Sequence, residues 1–277
     1  MNDHLQAVAF GSRPGSAHAP TRAAYGDASV DSWMRAVAAG ARGHYAAASA
    51  ELDHLCASTT GRTVRSLASS TRASHLRQAG RHAAARRYDG EALWWSAGGV
   101  ADTMTRAATL DALIGLAADS LGTAHFDLAD RLLARCAGPL ALVDDDEGWI
   151  WSGRLRLRHL WVRTESALYR GDAHRARETM ADREELLRAC PSVRHRIKTE
   201  LIAAATSAAT GDTGEATRAA TDCAEAARTH DQLPLEWAAT ALLVGIGASG
   251  GRDESLVASE ARLRAELNAR GGGFTPV

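Results

Sequence analysis

Six times along this chain a short turn on a small residue is followed by a run that opens in alanine or another helix former: RGHYAAASAEL from residue 42, AGRHAAARRY from 79, GTAHFDLADRLL from 122, RGDAHRARETM from 170, TGDTGEATRAA from 210 and SGGRDESLVASEA from 249. With Gly43, Gly80, Ala124, Gly171, Gly211 and Gly251 taken as equivalent turn positions, the spacings are 37, 44, 47, 40 and 40 residues. That is the period of a helical solenoid, in which each unit is a pair of helices, A and B, around the turn. Neither helix can bury its apolar stripe alone, and stacking on the next pair completes the core. Five residues after the first five turns stand Ala48, Ala85, Ala129, Ala176 and Ala216, where a methyl group lets helix B approach helix A closely. Twelve residues after them stand Leu55, Ala92, Cys136, Arg183 and Cys223, so Cys136 and Cys223 read as fillers of a repeated core position.

Composition agrees with an all-α chain, an α-solenoid of about six antiparallel helix pairs. About one residue in five is alanine, there are only six prolines, and β-branched runs are few. Hydrophobic residues at 45% and charged residues at 23% suffice for an extended core and exclude disorder throughout. Residues 1–28, rich in Gly, Ser, Pro and Ala, read as a flexible N-terminal arm, residues 29–268 as the repeats, and residues 269–277 (GGGFTPV at the end) as a frayed tail unless Phe274 folds back over the last pair. The first twenty residues lack a basic stretch followed by an apolar one, and the most apolar run, Ala238 to Ser249, is shorter than the roughly 20 residues a membrane crossing takes. A cytoplasmic protein with no membrane partner is expected, its four distant cysteines being reduced thiols.

The turn carries a family resemblance. Gly43-His44-Tyr45 followed by Ala48, and Gly171-Asp172-Ala173 followed by Ala176, resemble the turn of a degenerate tetratricopeptide repeat, over residues 29 to 268. The sequence departs from that family in lacking its Leu-Gly in helix A, in ending only two units with proline (Pro139 and Pro191), and in repeats longer than about 34 residues, so other α-solenoids stay open. The resemblance implies a right-handed superhelix whose A helices line a concave groove for a peptide or another protein.

Motifs for chemistry are sparse. The sole lysine, Lys198, has no glycine near it, which excludes a phosphate-binding P-loop, and HExxH, GxSxG and GxGxxG are absent, so no cofactor is called for. The run Asp144-Asp145-Asp146-Glu147 reads as an N-cap and first-turn acids for the helix after it, in preference to a magnesium site. His230 and Asp231, with His195 and Asp253, formally mimic the ligand set of an all-α metal-dependent hydrolase. His230 is better placed to close a helix before Pro234 starts the next. His44, His82, His125 and His174 recur at the turns and read as caps of helix B.

The fourth unit is the candidate surface. Residues 154–198 carry a net charge of +6 and residues 199–277 one of −5. On its helix A, Arg158, Trp161, Glu165 and Tyr169 share one face and, with Arg154 and Lys198, form the candidate partner-binding set; Trp33 and Arg77 extend it into earlier units. Exposed Trp and Arg on a rigid element are favoured interface anchors. The rest of the groove, with Ala118, Ala205, Ala209 and Ala241, reads as smooth and non-ionic, while Trp94-Trp95 and Trp149-x-Trp151 read as core. The expected function is a non-enzymatic protein-protein interaction module that binds a peptide or protein segment. The alternative is nucleic-acid binding through the Arg- and Trp-rich fourth unit, which a pI near 6.8 and the placing of Arg175, Arg177 and Arg183 on helix B disfavour. Homodimerisation, by pairing the basic unit with the acidic end or capping an apolar end, stays open.

Overall fold

All regular secondary structure among the described residues is helical. The structure, a computed structural model, describes residues 3–14, 28–97, 102–143, 146, 148–247 and 253–275. The helices are α1 (Asp3–Phe10), α2 (Ala28–Ala41), α3 (Tyr45–Ser58), α4 (Arg62–Gln78), α5 (His82–Ser96), α6 (Thr103–Gly122), α7 (Phe126–Ala141), α8 (Gly153–Tyr169), α9 (Ala173–Met180), α10 (Arg183–Arg188), α11 (Val193–Ala209), α12 (Thr213–Thr229), α13 (Leu233–Gly247) and α14 (Glu254–Ala269). No described helix is long and apolar enough to cross a membrane.

The repeated turns take one backbone form. Gly43, Gly80, Gly171 and Gly211 have φ between 74 and 87°, and Ala124 has φ 59°. That left-handed conformation costs a residue with a Cβ about 1–2 kcal/mol, which is why glycine holds most of these positions. The next N–H then reaches back five residues to an unpaired helix carbonyl: His44 N to Ala39 O at 2.9 Å, Arg81 N to Leu76 O at 2.9 Å, His125 N to Ser120 O at 2.7 Å, Asp172 N to Ala167 O at 2.9 Å and Asp212 N to Ser207 O at 2.9 Å. Gly251 lies outside the described residues. Asp172 and Asp212 cap the helices that follow, accepting from Arg175 N and Glu215 N. The turn histidines do not cap as expected: His44 and His125 precede α3 and α7 without a side-chain bond to either helix, and His174 faces Glu178 in solvent.

Small residues sit where backbones meet. Ala48, Ala85, Ala129, Ala176 and Ala216 are each 0% exposed. Leu55, Ala92, Cys136 and Cys223 are buried as well, but Arg183 is not, because the helix breaks at residues 181–182 between α9 and α10 and the register is lost. Helices α2, α4, α6, α8, α11 and α13 form one row, each packed on the next, and α3, α5, α7, α9, α12 and α14 pair with members of that row.

Both chain ends depart from expectation. Leu5, Val8, Ala9 and Phe10 of α1 are buried, and α1 packs on α2 and α11, with Val193 N donating to Gly11 O at 3.3 Å. Residues 3–14 are therefore packed structure and not an arm; the rest of the expected arm lies outside the described residues, apart from the opening of α2 at Ala28. The described part of the tail, residues 269–275, is not frayed either. Phe274 is buried, its ring 4.9 Å from Trp237 and 5.6 Å from Tyr45. Arg270 O accepts from Ala46 N and Arg270 Nη1 donates to Arg42 O, both at 2.9 Å, so the C-terminal end is joined to the first helix pair. A Cβ on Gly43 would stand 2.7 Å from Leu267, so the turn glycine serves this junction too. Asp144, Asp145 and Glu147 lie outside the described residues, and α8 starts only at Gly153, too far along for the acidic run to form its first turn.

Candidate functional site

The row of helices and the two chain ends surround one cavity of about 600 Å³. Side chains reach it from α2 (Trp33), α4 (His75, Arg77), α6 (Asp111), α8 (Arg154, Arg158, Trp161, Glu165, Tyr169), α11 (Arg194, His195, Lys198) and α13 (Trp237), with Phe10 from α1 and Phe274 from the tail. All eight residues singled out from the sequence, Trp33, Arg77, Arg154, Arg158, Trp161, Glu165, Tyr169 and Lys198, line it together. Tyr169, 58% exposed, and Gln78, also exposed, mark its mouth.

The tryptophans are not exposed anchors. Trp33 is 2% and Trp161 7% exposed, and each shows the cavity only part of its ring. Trp33 Nε1 donates to Thr71 Oγ1 and Trp161 Nε1 to Thr199 Oγ1, both at 2.9 Å and both 38 residues downstream. The same bond thus joins two successive A helices at two places in the chain. Trp151 stacks on Trp33 at 5.8 Å, whereas Trp94, read as core, is 60% exposed with Arg62 over its ring.

The arginines are held by acids that the sequence reading did not connect to them. Asp111, 2% exposed, receives Arg154 as a fork at 3.0 and 2.5 Å and Arg158 on the same Oδ1. Arg77 Nη1 lies 2.5 Å from Asp89 and 2.9 Å from Asp119, both fully buried. Gly115, midway between Asp111 and Asp119 on α6, makes room for this: a Cβ there would stand 2.1 Å from Asp89 Oδ2. Two aspartates eight residues apart in the otherwise apolar TLDALIGLAADSLG were the available signal.

Charge and burial together set the protonation states. Burial pushes the His75 imidazole down to about 3, helped by Arg194, Arg72 and Arg77, and burial with Arg194, Arg154, Arg158 and Lys198 takes His195 well below its usual value. Both are neutral at pH 7, and His195 Nδ1 lies 2.8 Å from Ser192 Oγ. Asp89 is pushed up to about 7 by burial and by the neighbouring Asp119 carboxylate, against the opposing pull of Arg77. Burial lowers Arg194 to about 10, with Arg154 and Arg158 adding repulsion, and burial lowers Lys198 although Glu165 opposes it.

A pH dependence follows. A histidine neutral in the fold contributes stability that is complete above about pH 6.5 and falls on acidification, by about 1.4 kcal/mol per pH unit for each of His75 and His195. Asp89 acts oppositely between about pH 4 and 7, its folded pKa being raised, and offsets one of the two. Urea unfolding followed from pH 7 to 4.5 should show stability falling with acid; a rise would mean that Asp89 outweighs the histidines.

The remaining expectations are corrected by placement. Arg194, Phe10, Trp237, Phe274 and Asp111 were not singled out; of the alanines expected to keep the rest of the groove smooth and non-ionic, Ala118 and Ala205 line the cavity and Ala209 and Ala241 do not, and Arg194 adds a charge to that wall. Among the described residues no group of three or more His, Cys, Asp or Glu is placed to hold a metal, so His195, His230, Asp231 and Asp253 do not converge. His230 is the C-cap of α12 and Pro234 the second residue of α13. In comparisons with known proteins, no family model, no curated protein and no solved structure matches this chain.

Proposed function

We propose that the chain is an α-solenoid of six helix pairs (α2–α3, α4–α5, α6–α7, α8 with α9–α10, α11–α12 and α13–α14), tetratricopeptide-like in its turns, that acts as a non-enzymatic binding module. Its ligand is a short peptide or protein segment taken into the cavity on the concave side. The observation that carries this reading is a cavity of about 600 Å³ to which every A helix contributes, with aromatic walls and a few charged groups. That volume lies within the range of pockets that enclose compact ligands, about 300–1,000 Å³. Polynucleotide binding is the weaker reading, since Arg154 and Arg158 are engaged by Asp111 inside the fold and Arg175 and Arg177 sit on α9, which does not belong to the cavity row.

The test is affinity selection from unbiased pools of tetrapeptides with free and with amidated C-termini, by ultrafiltration and mass spectrometry, on the wild type and on Ala205→Trp, which fills the cavity from α11. Peptides retained by the wild type, lost with Ala205→Trp and recovered at unchanged mass support the reading. Equal retention by both proteins, no retention, or recovery of cleaved or modified peptides overturns it.

A further inference from the structure

The cations of the cavity are unequally satisfied. Arg154 and Arg158 share Asp111, and Arg77 is held between Asp89 and Asp119. Arg194 and Lys198, one turn apart on α11, form no ion pair among the described residues; Arg194 lies 5.7 Å from the centre of the Phe10 ring and Lys198 Nζ 4.9 Å from that of Trp161. Five cationic and two acidic side chains line the space, and of the acids only Glu165 is outside an ion pair.

Cations enclosed together without counter-ions raise one another's energy, and replacing such groups by apolar side chains of similar shape commonly stabilises a protein. Groups that work against the fold in this way cluster at functional sites, where a ligand can supply the missing charge. Burial is the main cause that lowers both side chains and the neighbouring arginines add to it, while Glu165 opposes the shift at Lys198. Around them the walls are planar and apolar: Phe10 and Trp161 beneath the cations, and Trp33, Trp237 and Phe274 farther round. Glu165 on the same surface reduces the positive excess, which suits a singly charged carboxylate better than a phosphate dianion.

We propose that Arg194 and Lys198, with Arg158 beside them, form an anion subsite, and that the segment bound in the cavity carries a carboxylate next to an aromatic side chain. The carboxylate lies between the two α11 cations and the ring packs on Trp161 or Phe10. This rests on the preceding reading that the cavity takes a peptide segment. The carboxylate has two sources, an acidic side chain within the segment or the segment's own C-terminus.

The experiment uses the full chain and two tetrapeptide pools, one with amidated and one with free C-termini, selected on the wild type, Arg194→Met and Lys198→Met. In the wild type, sequences with Asp or Glu beside Phe, Tyr or Trp should be retained at least about tenfold over their Asn or Gln counterparts, or free carboxylates over amides, and the pool that shows the effect identifies the source. Each variant should lose about ten- to a hundredfold of that preference while melting at a temperature equal to the wild type's or about 2–4 °C higher. Retention without preference for the acid, or a preference that survives both substitutions, overturns the anion subsite and leaves the peptide reading standing. No retention from either pool overturns the peptide reading itself, and this one with it. A variant that melts well below the wild type would show the two cations to be structural and overturns their assignment as a ligand site.

Discussion

Asp111→Ala is expected to lower the free energy of unfolding by about 3–5 kcal/mol, the largest loss from any single charged residue of the cavity. Burial by itself would raise this carboxyl, but Arg154 and Arg158 outweigh it and hold the group below the usual carboxylate range. Removing it strands two guanidinium groups on α8, one of them with a side chain only 5% exposed, in a space already crowded by Arg194 and Lys198. Asp111→Asn keeps the shape and one acceptor and should lose less. Replacing Asp111 and Arg154 together by leucine leaves one stranded guanidinium, that of the more exposed Arg158, in place of two and should recover part of the loss, because it is the uncompensated charge that destabilises and not the absence of the bond. Urea unfolding of the four proteins decides it. A loss below about 1 kcal/mol for Asp111→Ala would mean that water solvates the two arginines and that the cavity wall is open at α6.

Trp33→Ala should cost about 3–5 kcal/mol, with Trp33→Phe retaining most of the packing. The indole fills the space between α1 and the fourth unit: its ring lies 5.4 Å from Phe10 and 5.8 Å from Trp151, and its N–H is spent on Thr71. Truncation removes the surface on which Phe10 rests, so the amides of α1 should lose hydrogen-exchange protection in the same variant. An interface anchor would behave differently, weakening binding with little change in stability. Stability within about 0.5 kcal/mol of the wild type, with α1 still protected, would contradict the packing role.

The two substitutions separate what was legible from what was not. Turn glycines at 43, 80, 171 and 211, and the alanines five residues after them, are local requirements. A left-handed turn excludes most side chains within the turn itself, and a close helix crossing excludes all but the smallest within the same pair. Such constraints repeat with the unit and show as a period. The helical periodicity that put Arg158, Trp161, Glu165 and Tyr169 on one face is equally local, and that face does meet the cavity. Whether Trp161 on that face was exposed or buried was not local. It depends on Thr199, 38 residues away, and on the closeness of α8 to α11.

The sequence by itself determined the all-helical composition, the positions of the turns and the faces of the A helices, because each follows from interactions within about a dozen residues. Only the tertiary structure decided that Arg154 and Arg158 share Asp111, 43 and 47 residues earlier, while Arg194 and Lys198 form no ion pair among the described residues and lie against the Phe10 and Trp161 rings. It also decided that Arg270 meets Arg42 and Ala46 across more than 220 residues, closing a cavity that an open row of helices would not enclose. Charge pairing and end-to-end closure depend on the small rotations accumulated from one helix pair to the next, and no residue pattern within a single pair encodes that sum.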